Sequence, residues 1–307
     1  MRNRWLKPLF LCLLVLALAL TGCSKPSPSA KAPGSGGSPS TTTTQAASPQ
    51  RAAQDVLRVH FIDVGQADSI LLQSPGGRFV LVDGGNVDDG RLVVDYLKRQ
   101  GVKELAAVVA THPHEDHIGG LDKVLKSYPV GQVYMPKATT TTKTFEYFLN
   151  AVKASGAKRV EAKGGVKLDV PDMDGVFLAP NGTGYEEMND YSAVLKVNYG
   201  KTSFLLTGDA EAKSEGEMLA QGYDLKADVL KVGHHGSTSS TTSPFLKAVS
   251  PKYAFIPVGD GNDYGHPHKK TLDKLAKASV EVFRADKNGT VVVTSDGNKV
   301  NFELEKR

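Results

Sequence analysis

Cysteine is nearly absent. Of 307 residues only two are cysteine, Cys12 and Cys23, so everything after residue 23 has neither a disulfide nor a thiolate ligand to offer. A long hydrophobic run is lacking as well, because the apolar stretch at residues 9–20 is too short to span a bilayer comfortably. There is no real excess of positive charge. The formal net charge is +4, and taking Arg2, Arg4 and Lys7 from the 37 basic residues leaves 34 against 33 acidic ones. A global basic field is therefore no argument for nucleic-acid binding. The densest local group, Lys153, Lys158, Arg159, Lys163 and Lys167, reads first as a solvated polar face. Histidine is scarce too, at 8, yet all except His60 fall in three clusters.

The amino terminus carries Arg2, Arg4 and Lys7 ahead of its short apolar run, the pattern of a signal peptide over residues 1–22. Its end, Leu20-Thr21-Gly22-Cys23, resembles the lipobox of bacterial lipoproteins. That resemblance implies a lipid on Cys23 and a chain anchored to the extracytoplasmic face of the cell membrane. Residues 23–54 are mostly Ser, Thr, Pro, Gly and Ala, with almost no bulky apolar residue. Such a segment cannot bury enough surface to offset chain entropy, and it reads as a disordered tether. The folded domain is expected at 55–307, as a monomer whose protein partners the sequence does not name.

Within that domain, β-rich runs at 56–62, 68–73 and 78–82 are separated only by Gly-containing turns. A helix over 89–99 and an apolar strand over 105–110 follow, then alternating helices and strands. Further strands are expected at 166–170, 175–179, 192–198 and 203–206, with helices and strands alternating again to about residue 282. A terminal hairpin pairs 290–294 with 299–303 across the turn "SDGN". Two strand-rich halves, each followed by βα units, predict an α/β (α+β) fold with two packed sheets and helices outside.

The stretch "THPHEDHIGG" (111–120) follows the apolar strand directly. Pro113 pushes its predecessor toward extended geometry, so His112 and His114 project to one side. Asp116 and His117 come at the turn into a helix starting near Ile118, and Gly119 and Gly120 leave room for close backbone approach. Three imidazoles and a carboxylate suit Zn²⁺ or a similar divalent ion. Four ligands on one short loop cannot close around one ion without strain, which points to two adjacent ions. "FVLVDGG" ends a strand in Asp83 and "SFLLTGDA" ends another in Asp209. Charge at a buried strand end is costly unless paired or metal-bound. Asp209 reads as a bridging ligand; Asp83 reads as a ligand or as an acceptor for a histidine N–H. His60, inside a strand pattern, reads as a satisfied side chain rather than a ligand.

"HPHEDH" matches the H-x-H-x-D-H signature of the metallo-β-lactamase superfamily, with Asp83 and Asp209 at two more of its motifs and "VGHHGS" supplying its distal histidine. More narrowly, "FIDVGQADSILL", "VLVDGG", "NDYSAVL", "LLTGDA", "LKVGHHGS" and "YGHPH" resemble the hydrolase domain of the ComEC/Rec2 competence-protein group. The resemblance implies a four-layered αββα sandwich with two metal ions at the sheet edges. It places His112 and His114 on the first ion, Asp116 and His117 on the second, and Asp209 between them. His234 is the preferred ligand to complete the second shell, with His235 reaching substrate or the other ion. Superfamily members commonly carry a metal-binding histidine where this chain has Asn189-Asp190. Asp190 is the candidate replacement, and an oxygen-richer site would tilt preference from Zn²⁺ toward Mn²⁺.

The chemistry implied is hydrolysis. A bound ion lowers the pKa of water from ~15.7 to about 7, and two ions stabilise both the entering and the leaving oxygen of a displacement, which suits phosphodiesters, DNA among them. Asp116 or Asp83 would orient the nucleophile. His266 and His268, in "YGHPHKK", would touch phosphate or protonate a leaving group, with Lys269, Asn189, Ser192 and Ser237 as further substrate contacts. The alternatives are another ester (a wall-polymer or choline phosphoester), a lactam, or a lipoprotein that binds DNA or metal without turnover.

Overall fold

The computed structural model describes residues 55–306. The expected signal peptide (1–22), the lipidation site Cys23 and the tether (23–54) lie outside the described residues. Where the sequence separates strands by turns alone, they pair antiparallel; where helices intervene, the pairing is parallel. β1 (Leu57–Phe61), β2 (Ile70–Gln73) and β3 (Phe79–Val82) form a meander. β4 (Leu105–Val109), β5 (Val130–Met135) and β6 (Lys158–Glu161) then add in parallel. Their crossovers carry α1 (Gly90–Arg99), α2 (Glu115–Ile118), α3 (Leu121–Ser127) and α4 (Lys143–Ser155).

The second half repeats the plan. β7 (Lys167–Leu168), β8 (Asp174–Ala179), β9 (Val194–Tyr199) and β10 (Thr202–Leu206) are antiparallel neighbours. β11 (Val229–Lys231), β12 (Tyr253–Ile256) and β13 (Glu281–Arg284) extend them in parallel, joined through α5 (Ala212–Ala220), α6 (Ser243–Val249) and α7 (Lys269–Lys277). After a short helix α8 (Ala285–Asn288), β14 (Val291–Ser295) and β15 (Val300–Leu304) make the expected hairpin. The hairpin does not stay with the second half. β14 pairs with β1, Val59 opposite Val293, giving an eight-stranded first sheet and a seven-stranded second one.

Between the sheets lies a core that includes Val59, Phe61, Val80, Phe177, Leu195, Phe204 and Phe255. Phe61 of one sheet stacks on Phe255 of the other with ring centroids 4.4 Å apart. Outside the first sheet, Val93 and Leu97 of α1, Val124 of α3 and Phe148 of α4 form a second core. Met218, Phe245, Leu246 and Leu275 of α5, α6 and α7 form a third on the second sheet. Each large side chain buried this way contributes roughly 1.5–3 kcal/mol before entropy is counted. The layers are helix, sheet, sheet, helix, the four-layered αββα sandwich.

Two expected strands shift. The run at 166–170 contracts to Lys167–Leu168, because Val170 N–H donates back to Leu168 O at 3.0 Å and Met173 N–H to Val170 O at 3.2 Å, turning the chain. The strand expected from 192 begins at Val194, since residues Met188–Tyr191 form a 3-10 turn that Ser192 N–H closes onto Asn189 O at 3.0 Å. The edge strand β6 exposes Lys158 and Arg159, which discourages pairing with another chain.

The glycines after the histidine motif are needed for proximity. A Cβ on Gly120 would run into the carbonyl oxygen of Gly84 and the backbone of Gly90. Gly120→Ala should therefore destabilise the fold by about 1–3 kcal/mol, as overpacking does. Urea denaturation of the variant against wild type measures it, and an unchanged midpoint would refute the close fit.

Candidate metal centre and its cleft

The loops that matter leave the C-terminal ends of parallel strands in both sheets, the usual place for sites on open α/β sheets. From the first sheet, Asp83 follows β3 and the segment 111–117 follows β4. From the second, Asp209 follows β10 and His234-His235 follow β11. His112 and His114 meet as expected, His112 Nε2 standing 3.0 Å from His114 Nδ1. Burial first, then neighbouring His117, pushes His112 well below the usual imidazole value; burial also lowers His114. Both rings are neutral and offer lone pairs.

Beside them, Asp116, His117, Asp209 and His235 bring one ligand atom each within 4.8 Å of one another. His117 Nε2 lies 3.3 Å from Asp209 Oδ2 and 3.6 Å from Asp116 Oδ2. His235 Nε2 lies 3.1 Å from Asp116 Oδ2 and 3.5 Å from Asp209 Oδ2. The far nitrogens are committed elsewhere. His235 Nδ1 donates to Pro257 O at 2.9 Å and His117 Nδ1 to Asp83 Oδ2 at 2.8 Å, so both Nε2 atoms face the cluster. His117 Nε2 is completely buried with no hydrogen-bond partner, a cost that a bound cation would remove. The donor set fits a divalent metal.

Asp83 takes the acceptor role. Its carboxylate accepts from His117 Nδ1, from Thr111 N–H at 2.8 Å and from Thr111 Oγ1 at 2.7 Å, which occupies both oxygens. It sits in left-handed backbone at φ 57°, a strained conformation repaid by those bonds. His234 and His235 adopt the same region in succession, at φ 47° and 49°. That double turn decides between them. His235 enters the cluster, while His234 Nδ1 donates to Glu211 Oε1 at 2.7 Å and its Nε2 stops 4.0 Å from Asp209. The sequence favours His234 of the pair; the structure brings His235, and not His234, into the cluster.

The charges of the cluster act on one another. Burial opposes charge on His235, but Asp209, Asp116 and Asp68 outweigh it and push the imidazole up to about 10. His117 is likewise raised, burial being overcome by Asp209, Asp116 and Asp83. Burial would raise Asp209, yet His235, His117 and Lys231 hold it well below the carboxylate range. A cation bound by these imidazoles would have to displace their protons. Calorimetric titration at pH 7 in buffers of different ionisation heats should show proton release on metal binding; uptake or no exchange would contradict the assignment. In chelator, the stability contributed by charged His235 is full below 6.5 and is lost as pH rises through about 10.

Several residues escaped the sequence reading. Lys231, fully buried, lies 2.6 Å from Asp68 Oδ2 and 3.3 Å from Asp209 Oδ1, and donates to Gly208 O at 2.5 Å. Burial opposes its charge, but Asp68 and Asp209 hold the ammonium above the ordinary lysine value. A lysine within the apolar run "DVLKVG" was the available signal. Glu211, which also accepts from Asn189 Nδ2 and Ser239 Oγ at 3.0 Å each, was not singled out. Gln66 and Tyr264 are two more, at the rim.

Other expected contacts stand apart from the cluster. Asp190 is buried in the 3-10 turn with its Oδ1 lacking any hydrogen-bond partner, outside the cluster; Asn189 instead reaches Glu211. Ser192 is fully buried; its Oγ accepts from Asp209 N–H at 3.0 Å and lies 3.5 Å from His112 Nδ1, so it braces two cluster residues from behind. Ser237 is buried against Ser239. Lys269 points to solvent and pairs with Asp273 one helical turn on, at 2.8 Å. His268 stands at the N-cap position of α7 without a side-chain capping bond, and its Nδ1 accepts from Thr238 N–H at 3.1 Å. His60 is buried with Nδ1 at 2.9 Å from Tyr96 Oη, away from the centre. Asp116, Asp209 and His235 open with His114, His234, His266, Gln66, Glu115 and Tyr264 into a cleft of 360 Å³. Burial, then His234, His235 and His268, lowers His266 to about 4, leaving its ring uncharged at neutral pH.

A two-sheet αββα sandwich with imidazoles and carboxylates converging at the strand ends of both sheets defines a class, the metal-dependent hydrolases built on this scaffold. The chain belongs to the metallo-β-lactamase superfamily, whose profile matches residues 62–260. It is 35% identical over 250 residues to ComE operon protein 3 of Bacillus subtilis (strain 168), covering 76% of this chain and 32% of that protein. Recombination protein 2 of Haemophilus influenzae is 30% identical over 77% of this chain and 28% of its own length. Competence protein ComA of Neisseria gonorrhoeae is 30% identical over 79% and 33%. The chain thus spans about a third of the length of these relatives. Among solved structures, the metallo-beta-lactamase fold protein YhfI from Bacillus subtilis shares the fold with TM-score 0.51 at 16% identity, covering 76% of this chain and 98% of that one. A metal-dependent hydrolase of the beta-lactamase superfamily does so with TM-score 0.51 at 15% identity, over 74% and 95%.

Proposed function

We propose that the protein is an extracytoplasmic phosphodiesterase acting on DNA, anchored to the membrane through a lipid on Cys23 and loaded with two Zn²⁺ or Mn²⁺ ions. The observation that carries this reading is the four-residue cluster of Asp116, His117, Asp209 and His235 set directly beside the His112–His114 pair at a cleft. His112 and His114 would hold one ion, His117, His235 and Asp116 the other, with Asp209 between. When bound, such ions supply Lewis acidity and an acidified water. Asp83 and the Pro257 carbonyl fix the tautomers of His117 and His235. Asp116, the more exposed of the cluster's two carboxylates, would orient the attacking water or accept the proton it loses. Relatives named for competence and recombination support DNA as the substrate.

The test combines metal analysis of the purified protein with hydrolysis of DNA and of a β-lactam. Metal-dependent DNA cleavage that stops in EDTA and returns with Zn²⁺ or Mn²⁺ is expected, with no lactam turnover. Lactam turnover without DNA cleavage, or metal-independent cleavage, would defeat the reading.

A further inference from the structure

One wall of the cleft is aromatic, exposed and held in place. The Tyr264 ring is stacked on His266 with centroids 5.6 Å apart and planes 21° apart. His266 in turn lies nearly parallel to His235, at 6.4 Å and 21°, so a series of flat rings leads from the metal cluster to the rim. Tyr264 is 68% exposed, and its hydroxyl has no part in the hydrogen bonding that shapes the loop. That shaping falls to Asn262, whose Nδ2 donates to Gly259 O at 3.0 Å and His266 O at 2.7 Å while its Oδ1 accepts from His266 N–H at 3.0 Å. Gln66, from the other half of the fold, accepts from Gly259 N–H at 3.1 Å and approaches His266 Nδ1 at 3.5 Å. The platform is thus braced before any ligand arrives, which reduces the ordering cost of binding.

The charge of the same cleft is informative. Neither lysine nor arginine lines it. Of the nearest cations in sequence, Lys269 pairs with Asp273, Lys274 donates to the carbonyls of Ser240 and Thr241, and Lys270 is exposed on α7 outside the lining. A diester gripped only by its phosphates would call for such cations along the cleft. A large apolar face left bare beside the reacting position calls for something flat instead.

Resting on the diester reading above, we propose that Tyr264, backed by His266, is a stacking platform for an unpaired nucleobase next to the scissile phosphate, making the substrate class single-stranded or frayed nucleic acid. A base inside a duplex has both faces covered by its neighbours and cannot offer one to Tyr264. Selection by a ring face is indifferent to base identity, since every base has one.

The experiment compares a short fluorescein-labelled oligothymidylate with an equally long strand carrying tetrahydrofuran abasic sites, which has the same phosphates and no bases. Binding is read by anisotropy in EDTA, cleavage in Mn²⁺. The wild-type protein should bind and cut the base-bearing strand better by roughly tenfold. Tyr264→Ala and Tyr264→Leu should bring both ratios close to unity, while Tyr264→Phe and Tyr264→Trp keep them. Equal treatment of the two strands by wild type overturns the platform but leaves the diesterase standing. Discrimination that survives in Tyr264→Ala, or is lost in Tyr264→Phe, also overturns it. Failure of wild type to cut either strand removes the diesterase and the platform together.

Discussion

Replacing Asp209 with asparagine should abolish most of the activity while leaving the protein folded. The side chain keeps its shape, and the backbone N–H still donates to Ser192 Oγ. What disappears is the negative charge that faces His117 Nε2 at 3.3 Å, His235 Nε2 at 3.5 Å and Lys231 at 3.3 Å. If Asp209 holds the position between two ions proposed above, losing its carboxylate should forfeit several kcal/mol of transition-state stabilisation, or about 10²–10³-fold in kcat/KM. Bound metal measured by atomic emission should fall in step. Glu211→Gln, which touches the centre only through His234, should cost no more than about 10–100-fold in metal affinity, as outer partners do. Equal losses from both substitutions would deny Asp209 its central place.

Lys231→Met carries the largest expected effect on stability. The substitution leaves Asp68 and Asp209 buried without their common cation, and breaking a buried ion pair from one side costs about 3–5 kcal/mol. For a domain of this size each kcal/mol moves Tm by ~2–4 °C, so a fall of roughly 6–20 °C is expected in EDTA. Added Mn²⁺ should recover part of it, because the ion then faces Asp209 in place of the ammonium. The double variant Asp68→Asn/Lys231→Met should melt above the single one. A single variant that melts within about 2 °C of wild type would mean that the ion pair is not needed.

The centre was more legible in the sequence than its support. His112, His114, Asp116 and His117 share one short segment whose conformation Pro113 and two glycines restrict locally, so reading them together needed no tertiary knowledge. Lys231 and Asp68 are different. Each is unremarkable alone, and their meeting at 2.6 Å depends on how two sheets stack. The choice between His234 and His235 turned on two consecutive left-handed residues, a conformation that non-glycine sequence seldom advertises. Lys269 looked like a substrate contact because it follows His268, yet the first turn of α7 rotates it to solvent beside Asp273. The αββα layering followed from the alternation of strand-rich and helix-rich segments. The return of β14 to β1 did not, because pairing between distant strands leaves no local mark.

The split of the donors between two sheets also makes the centre sensitive to shear. His112, His114, Asp116 and His117 travel with one plate, Asp209 and His235 with the other, and the plates are kept in step by contacts such as Phe61 on Phe255. A void opened there would let them slide by a fraction of an ångström. Its signature would be a change in which cation the protein prefers, far from any residue that touches one.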